Sequence, residues 1–114
     1  MPSSELRGPY KLTTTGIDAA VRNVSAGTYA LGETIDGTFH IHYVGRADYD
    51  VSSRLKDHVP KWYPDFKFEY YGSALDAFEK ECQLYHAFNP PDNEMHPARP
   101  ANTYHQCPCC NALG

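Results

Sequence analysis

A paired strand pattern lies in the first half of the chain. Residues 27–31 and 38–44 are rich in aromatic and β-branched side chains, and the pair Asp36-Gly37 stands between them. An Asp-Gly pair favours a tight turn with positive φ angles, the kind of turn that joins two antiparallel strands. The pattern therefore predicts a β-hairpin.

The second strand of this hairpin carries two histidines. Side chains alternate between the two faces of a strand. Strict alternation predicts an aromatic and aliphatic face and an opposite face with both histidines: Phe39, Ile41 and Tyr43 on the first, and His40, His42 and Val44 on the second. The pattern assigns the histidines no chemical role.

A short helix is predicted after the hairpin. Apolar residues recur at Val51, Leu55 and Val59, preceded by the capping residue Asp50 and followed by Pro60. This spacing is helical, and a proline interrupts the hydrogen bonding of a helix. The prediction is a helix over residues 50–59.

A third strand and a longer helix follow. Residues 66–71 alternate aromatic and charged side chains, as a half-buried strand does. Ser73 and Asp76 have the spacing of a capping box. They predict a helix over residues 74–88, which stops before the sequence Asn-Pro-Pro at 89–91.

These elements define the predicted organisation. The order β-β-α-β-α indicates an α/β protein of the α+β type, with a small three-stranded antiparallel sheet flanked by helices. Residues 1–26 form an N-terminal segment with a short docking helix at 17–22, and residues 27–93 form the main domain. Residues 94–114 form a Pro-, Cys- and His-rich tail packed on that domain.

Composition changes this picture in two ways. With 114 residues, 41% hydrophobic and 21% charged, the chain has the composition of one folded domain rather than of a disordered segment. No apolar run reaches membrane-spanning length and no signal-peptide pattern opens the chain, so we expect a cytoplasmic protein. A net charge of −4 argues against nucleic-acid binding by electrostatics alone.

The two central helices place charged side chains unusually. At 100° per residue, Glu81 falls within the apolar stripe of helix 74–88, where an acid is rare. It is either a boundary residue whose carboxylate reaches solvent or pairs with an arginine, or a metal-binding or catalytic acid in a cleft. Arg54 and His58 share one face of the earlier helix, and both could approach one anion.

The tail carries a possible zinc site. Cys107 and Cys110 have the C-x-x-C spacing of zinc ligands, and Cys82 and His86 lie one helical turn apart. These four residues are the predicted structural zinc set, with His96 as the substitute for His86. The competing interpretation is a core cysteine and a loose tail with reduced thiols.

The motifs Gly27-Thr28-Tyr29 and Tyr43-Val44-Gly45 are followed by Arg54, His58 and Glu81, in this order. In this order and spacing the sequence resembles the GIY-YIG nuclease domain over residues 27–93. Thr28 stands where the family motif has isoleucine, and Arg54 follows Gly45 by nine residues where eight is commoner. The resemblance implies a single active site on the sheet that cuts a phosphodiester bond with one Mg²⁺ or Mn²⁺ ion.

The resemblance also implies residue roles. Tyr29 would be the general base or would position the attacking water, and Tyr43 would form a hydrogen bond near the phosphate or with the attacking water. Arg54 would neutralise the phosphate, His58 would assist proton transfer, and Glu81 would be the acidic metal ligand.

Substrate contacts and partners are predicted from this resemblance and from the local charge. Asn93 would match an asparagine that follows the last helix in some members, although Asn89 competes with it. Arg46 would bind substrate in a basic patch with Arg54, Lys56 and Lys61. The expected partner is nucleic acid, DNA rather than RNA, and a homodimer or larger assembly would supply targeting.

Two other functions remain open at this point. A non-catalytic interaction or assembly module would keep the fold and the zinc but cleave nothing. A thiol redox protein would use Cys107 and Cys110 as an exposed reactive pair without zinc.

Overall fold

The computed structural model describes residues 4–59, 61–100, 103 and 106–109. Seven regular elements follow one another along the chain: β1 (Arg7–Lys11), α1 (Thr14–Ala20), β2 (Gly27–Ile35), β3 (Thr38–Ala47), α2 (Val51–Asp57), β4 (Asp65–Tyr70) and α3 (Ala74–Phe88). Among the helices of these described ranges, none has both the length and the apolar character needed to cross a membrane.

One antiparallel sheet joins all four strands in the order β1-β4-β2-β3. The α+β class is confirmed, but the prediction of three strands is wrong because the N-terminal segment adds β1 to the outer edge of β4. All five residues of β1 are exposed, so this strand has no buried side chains to give it an alternating pattern.

The predicted hairpin is confirmed as β2 and β3. Asp36 and Gly37 have φ angles of 51° and 81°, and the flanking residues Ile35 and Thr38 are paired. Positive φ at both central residues is the turn geometry that matches the right-handed twist of two strands.

The ends of the helices follow from capping side chains. Asp50 accepts hydrogen bonds from the first turn of α2, and Ser73 accepts one from Asp76 at the start of α3. The predicted range of α3 is confirmed, and α2 is shorter than predicted. The helix predicted over 17–22 begins earlier, because Thr13 caps α1 and accepts from the amide of Gly16.

Helices cover both faces of the sheet. On one face α1 and α2 pack against aromatic side chains of β2 and β4, including Tyr29, Phe66 and Phe68. On the other face Leu84 of α3 packs against Ala30 and Val44. Residues of β2 are buried from both sides, so this strand forms the centre of the molecule.

A β-bulge in β3 changes which side chains share a face. Leu31 pairs with Tyr43 and Gly32 pairs with Ile41, so His42 is an extra residue in β3. An extra residue shifts the alternation by one position. The predicted faces are therefore wrong: Val44 lies with Phe39 and Ile41 on the α3 side, and Tyr43 lies on the α2 side.

The segment after α3 covers the outer edge of β3. The Asp92 amide donates to the His42 carbonyl oxygen. The Asn93 side chain accepts from the Val44 amide at 2.8 Å and donates to the Val44 carbonyl oxygen at 3.0 Å. Its amide group thus pairs with β3 as a neighbouring strand would, and this places residues 92–98 beside α3.

Candidate functional site

A buried phenol and imidazole form the first part of the site. The Tyr29 hydroxyl lies 2.8 Å from His58 Nε2, and the His58 ring also contacts Tyr43, with 5.5 Å between ring centroids. Tyr29 crosses above Gly45, where an added Cβ would lie 2.5 Å from the Tyr29 hydroxyl oxygen. The glycine of the second motif therefore makes room for the tyrosine of the first.

Both members of this pair are neutral at pH 7. Burial, reinforced by the charges of Lys61 and Arg54, lowers the pKa of His58 to about 4. Burial also raises the pKa of Tyr29 well above that of an ordinary phenol. The imidazole is an unprotonated base, and among the described residues none forms a hydrogen bond with its buried Nδ1.

Arg54 lies at the surface next to this pair. Its guanidinium is about half exposed and is 3.6 Å from Asp57 in a weak ion pair within the helix. It is close enough to Tyr29 and Tyr43 to oppose the rise in the pKa of each phenol. Arg54 is thus available to an anion that approaches His58.

Glu81 lies on the other face of the sheet, in an ion pair with Arg46. The distance from Arg46 Nη1 to Glu81 Oε1 is 2.9 Å, and Arg46 Nε is 2.6 Å from Asp48 Oδ1. The Ala98 carbonyl oxygen also accepts from Arg46. Burial raises the pKa of Glu81 to about 7, although the Arg46 charge opposes this rise.

A cavity of about 340 Å³ joins Glu81 to Tyr43. One wall is Tyr43 and Glu81, and the other is the segment from Asp92 to Ala98. Tyr43 therefore contacts His58 on one side and borders the Glu81 cavity on the other. The predicted site residues lie on two faces of the sheet, and Tyr43, on the edge strand, connects them.

The other predicted substrate contacts have partners within the protein. Asn93 lines the cavity but is bonded to Val44, and Arg46 is enclosed between two carboxylates. Lys56 is 2.7 Å from Asp18, on the α1 side. Lys61 remains near the site, with its Nζ 6.0 Å from the Tyr43 ring centroid.

Sequence reasoning missed two acids of the cavity wall. Asp92 accepts a 2.6 Å hydrogen bond from the Tyr63 hydroxyl, and Glu94 lines the same cavity. Both flank Asn93, so the acidic character of this short stretch was the available signal. This signal was not enough for a prediction, because the stretch has no periodic pattern of apolar residues that would assign it to a helix or strand.

A second cluster lies behind Glu81. One ligand atom each from Cys82, His96 and Cys107 lies within 4.8 Å of the others, so this group could hold a metal ion. His86 is outside it, with its Nε2 3.3 Å from His96 Nε2. The structure thus groups the predicted substitute His96 with the thiols, and the fourth predicted ligand, Cys110, lies outside the described residues.

Comparisons with protein-family models, with curated proteins and with solved structures gave no match to this chain.

Proposed function

We propose that this protein is a metal-dependent nuclease of the GIY-YIG type that hydrolyses phosphodiester bonds, in DNA rather than RNA. The observation that carries the proposal is the position of Tyr43. It contacts the neutral base His58 and lines the same cavity as Glu81. A phenol, an imidazole, the exposed guanidinium of Arg54 and a carboxylate thus surround one edge of the sheet.

Each group suits one requirement of the reaction. In hydrolysis a water oxygen bonds to phosphorus, the bond to the leaving nucleoside oxygen breaks, and an acceptor takes the water's proton. We assign proton acceptance to His58 Nδ1, the ring nitrogen that is not bonded to Tyr29, and orientation of the water to Tyr43. Tyr29 is fully buried, so we assign it a positioning role through its bond to His58 Nε2.

Charge stabilisation has to provide much of the rate. An imidazole with a pKa of about 4 is a weak base at neutral pH. Arg54 would neutralise the phosphate, and a bound cation would stabilise negative charge as it develops.

Glu81 is the residue that would hold the catalytic Mg²⁺ or Mn²⁺. Carboxylate oxygens suit these hard cations, and Glu81 and Glu94 bring such oxygens to the cavity. The ion pair with Arg46 uses Oε1 of Glu81, so Oε2 is the oxygen left for a cation.

Nucleic-acid affinity should be low and sensitive to salt. Arg46 and Lys56 are engaged with carboxylates, which leaves Arg54 and Lys61 as the cations beside His58. Few phosphate contacts give weak binding that salt screens readily. Exposed Trp62 is next to Lys61 and could add base stacking.

Plasmid nicking tests the proposal. With Mg²⁺ present, Glu81→Gln, Arg54→Ala and Tyr43→Phe should each lower the rate of nicking of supercoiled DNA, the first by about a hundredfold. Lys56→Ala, which removes a cation paired with Asp18, is the matched control and should cut normally. Equal cutting by all variants would identify a contaminating nuclease.

A non-catalytic assembly module is the second candidate, and the Arg46–Glu81 ion pair favours it. A carboxylate already neutralised at 2.9 Å needs no cation. This candidate predicts no cleavage of plasmid, single-stranded DNA or structured RNA. It also predicts that Glu81 binds no Mn²⁺, so Glu81→Gln should leave any Mn²⁺ binding unchanged. Sedimentation would test the homodimer that either candidate allows.

We also propose one structural Zn²⁺ at Cys82, His96 and Cys107, and a cytoplasmic location. Two thiolates and an imidazole are typical zinc donors. A thiol redox function for Cys107 and Cys110 predicts protein without zinc, so metal analysis separates the two.

A further inference from the structure

The wall of the Glu81 cavity is attached to the protein at three places. Asp92 and Asn93 bond to β3 at its beginning. The Ala98 carbonyl oxygen bonds to Arg46 at its end. Between these points His96 lies against Cys82 and Cys107. The middle of the wall is therefore held by the thiol cluster.

The cluster and the ion pair share supporting residues. Cys82 follows Glu81 directly on α3, and Cys107 packs on Phe78 and Cys82 in a small buried group. The Phe78 ring also lies beneath the Arg46 guanidinium, with 5.3 Å between that group and the ring centroid. A movement of Cys107 or Phe78 would therefore reach Arg46 and Glu81.

We infer that a Zn²⁺ ion bound by Cys82, His96 and Cys107 positions the wall of the Glu81 cavity and the Arg46–Glu81 ion pair. Residues 94–98 belong to no helix or strand, so the metal supplies the attachment that a regular element would otherwise provide. Zinc prefers four tetrahedral ligands, and a mixed sulfur and nitrogen set selects it over Mg²⁺. Only the expected effect of zinc on cleavage rests on the proposed function.

Cys110, the fourth ligand that the sequence predicts, lies outside the described residues, so the proposed site stands on Cys82, His96 and Cys107. Cys110 completes the C-x-x-C spacing with Cys107, the usual way in which a loop supplies two thiolates to one zinc ion. Exposed Cys109 and His86 are the rivals, and both lie outside the group formed by Cys82, His96 and Cys107.

Metal analysis and cobalt substitution test the ligand set. Purified protein should contain about one zinc per chain, and cobalt-loaded protein should show the absorption of a tetrahedral thiolate site. Cys82→Ser, Cys107→Ser and Cys110→Ser should lose both signals. Cys109→Ser and His86→Ala are the matched controls and should keep them. Full zinc content in Cys82→Ser or Cys107→Ser would overturn the assignment.

Hydrogen exchange tests the coupling without relying on activity. After zinc removal, amide exchange in residues 92–98 and at Val44 should become at least tenfold faster, while the turn at Asp36 should not change. His96→Cys keeps a zinc ligand and should retain protection, whereas His96→Ala should lose it. Unchanged exchange in zinc-free protein would overturn the inference.

Cleavage is then measured with Mg²⁺ supplied to zinc-free protein. We expect at least a tenfold loss of rate that added Zn²⁺ reverses. Full cleavage without zinc would overturn the inference and leave the nuclease proposal standing. Zinc-dependent protection without cleavage by any form of the protein would overturn the nuclease proposal and leave the inference about zinc standing. The failure of one is therefore distinguishable from the failure of the other.

Discussion

His58 illustrates how burial sets the chemistry of a single residue. Its ring lies between Tyr29 and Tyr43, and only 6% of its surface is exposed. Burial and the nearby cations Lys61 and Arg54 favour the neutral imidazole. The residue was predicted from its position relative to Arg54, but its bond to Tyr29 depends on how α2 packs on the sheet.

The low pKa of His58 predicts acid destabilisation. The unfolded chain binds a proton at His58 below pH 6.5, whereas the folded protein binds it only near pH 4. The contribution of His58 to stability is therefore complete above pH 6.5 and is lost as the pH falls from 6.5 to 4. We expect a loss of about 3 kcal/mol in the free energy of unfolding.

Urea unfolding at several pH values measures this effect. The difference in unfolding free energy between the parent and His58→Gln should shrink as the pH falls through this window. His40→Gln, at an exposed position on β3, is the control and should follow the parent. A constant difference between parent and His58→Gln would contradict the assigned pKa.

Gly45 shows a packing constraint at the same scale. A Cβ there would lie 2.5 Å from the Tyr29 hydroxyl oxygen and ring, which is too close for either group. Gly45→Ala should lower the unfolding free energy by about 1 to 3 kcal/mol and displace Tyr29 from His58. Gly72→Ala, with no atom within 4 Å of the added Cβ, is the matched control for denaturation.

At the scale of elements, prediction succeeded where local signals were strong. α3 has a capping serine, a long apolar stripe and a proline stop, and its bounds were predicted as observed. β1 was missed because all its residues are exposed, and a strand without a buried face has no alternating pattern. The bulge at His42 was missed because it depends on how β2 and β3 pair.

The cover over β3 is an element-scale feature that can be tested. Asn93 makes two hydrogen bonds to Val44, so Asn93→Ala should lower the unfolding free energy by about 1 to 2 kcal/mol. Exchange of the Val44 amide should also become faster. Asn23→Ala, at an exposed loop position, is the control for urea denaturation. Unchanged Val44 exchange in Asn93→Ala would show that another group covers this edge.

At the scale of the molecule, the sequence indicated candidate site residues but not their arrangement. Tyr29, Tyr43 and His58 lie together, whereas Glu81 lies across the sheet and shares a cavity with Tyr43. The pairing of Arg46 with Glu81 joins residues 35 positions apart. Such contacts depend on how α3 packs on β3, and no local sequence pattern predicts that packing.

Trp62 allows binding to be measured directly. It is the single tryptophan of the chain, it is 56% exposed, and it packs edge-on against His42 at 4.9 Å between centroids. If bases stack on it, oligothymidine should quench its emission at low salt and quench less at high salt. An oligonucleotide of abasic sites is the control and should leave the emission unchanged.

Fluorescence anisotropy of a labelled oligonucleotide measures binding independently of the Trp62 emission. Trp62→Ala should weaken binding several-fold, and Trp62→Phe should weaken it less because it keeps an aromatic face. Binding by anisotropy without any change in Trp62 emission would show that the ring lies away from the nucleic acid.

The closed outer side of β3 also limits how copies of this chain can associate. Its backbone at His42 and Val44 is already paired, and at the opposite margin of the sheet Pro9 of β1 has no N–H to offer. Strand-by-strand extension into fibrils is disfavoured at both margins. Self-association would therefore use side chains of the helices and loops.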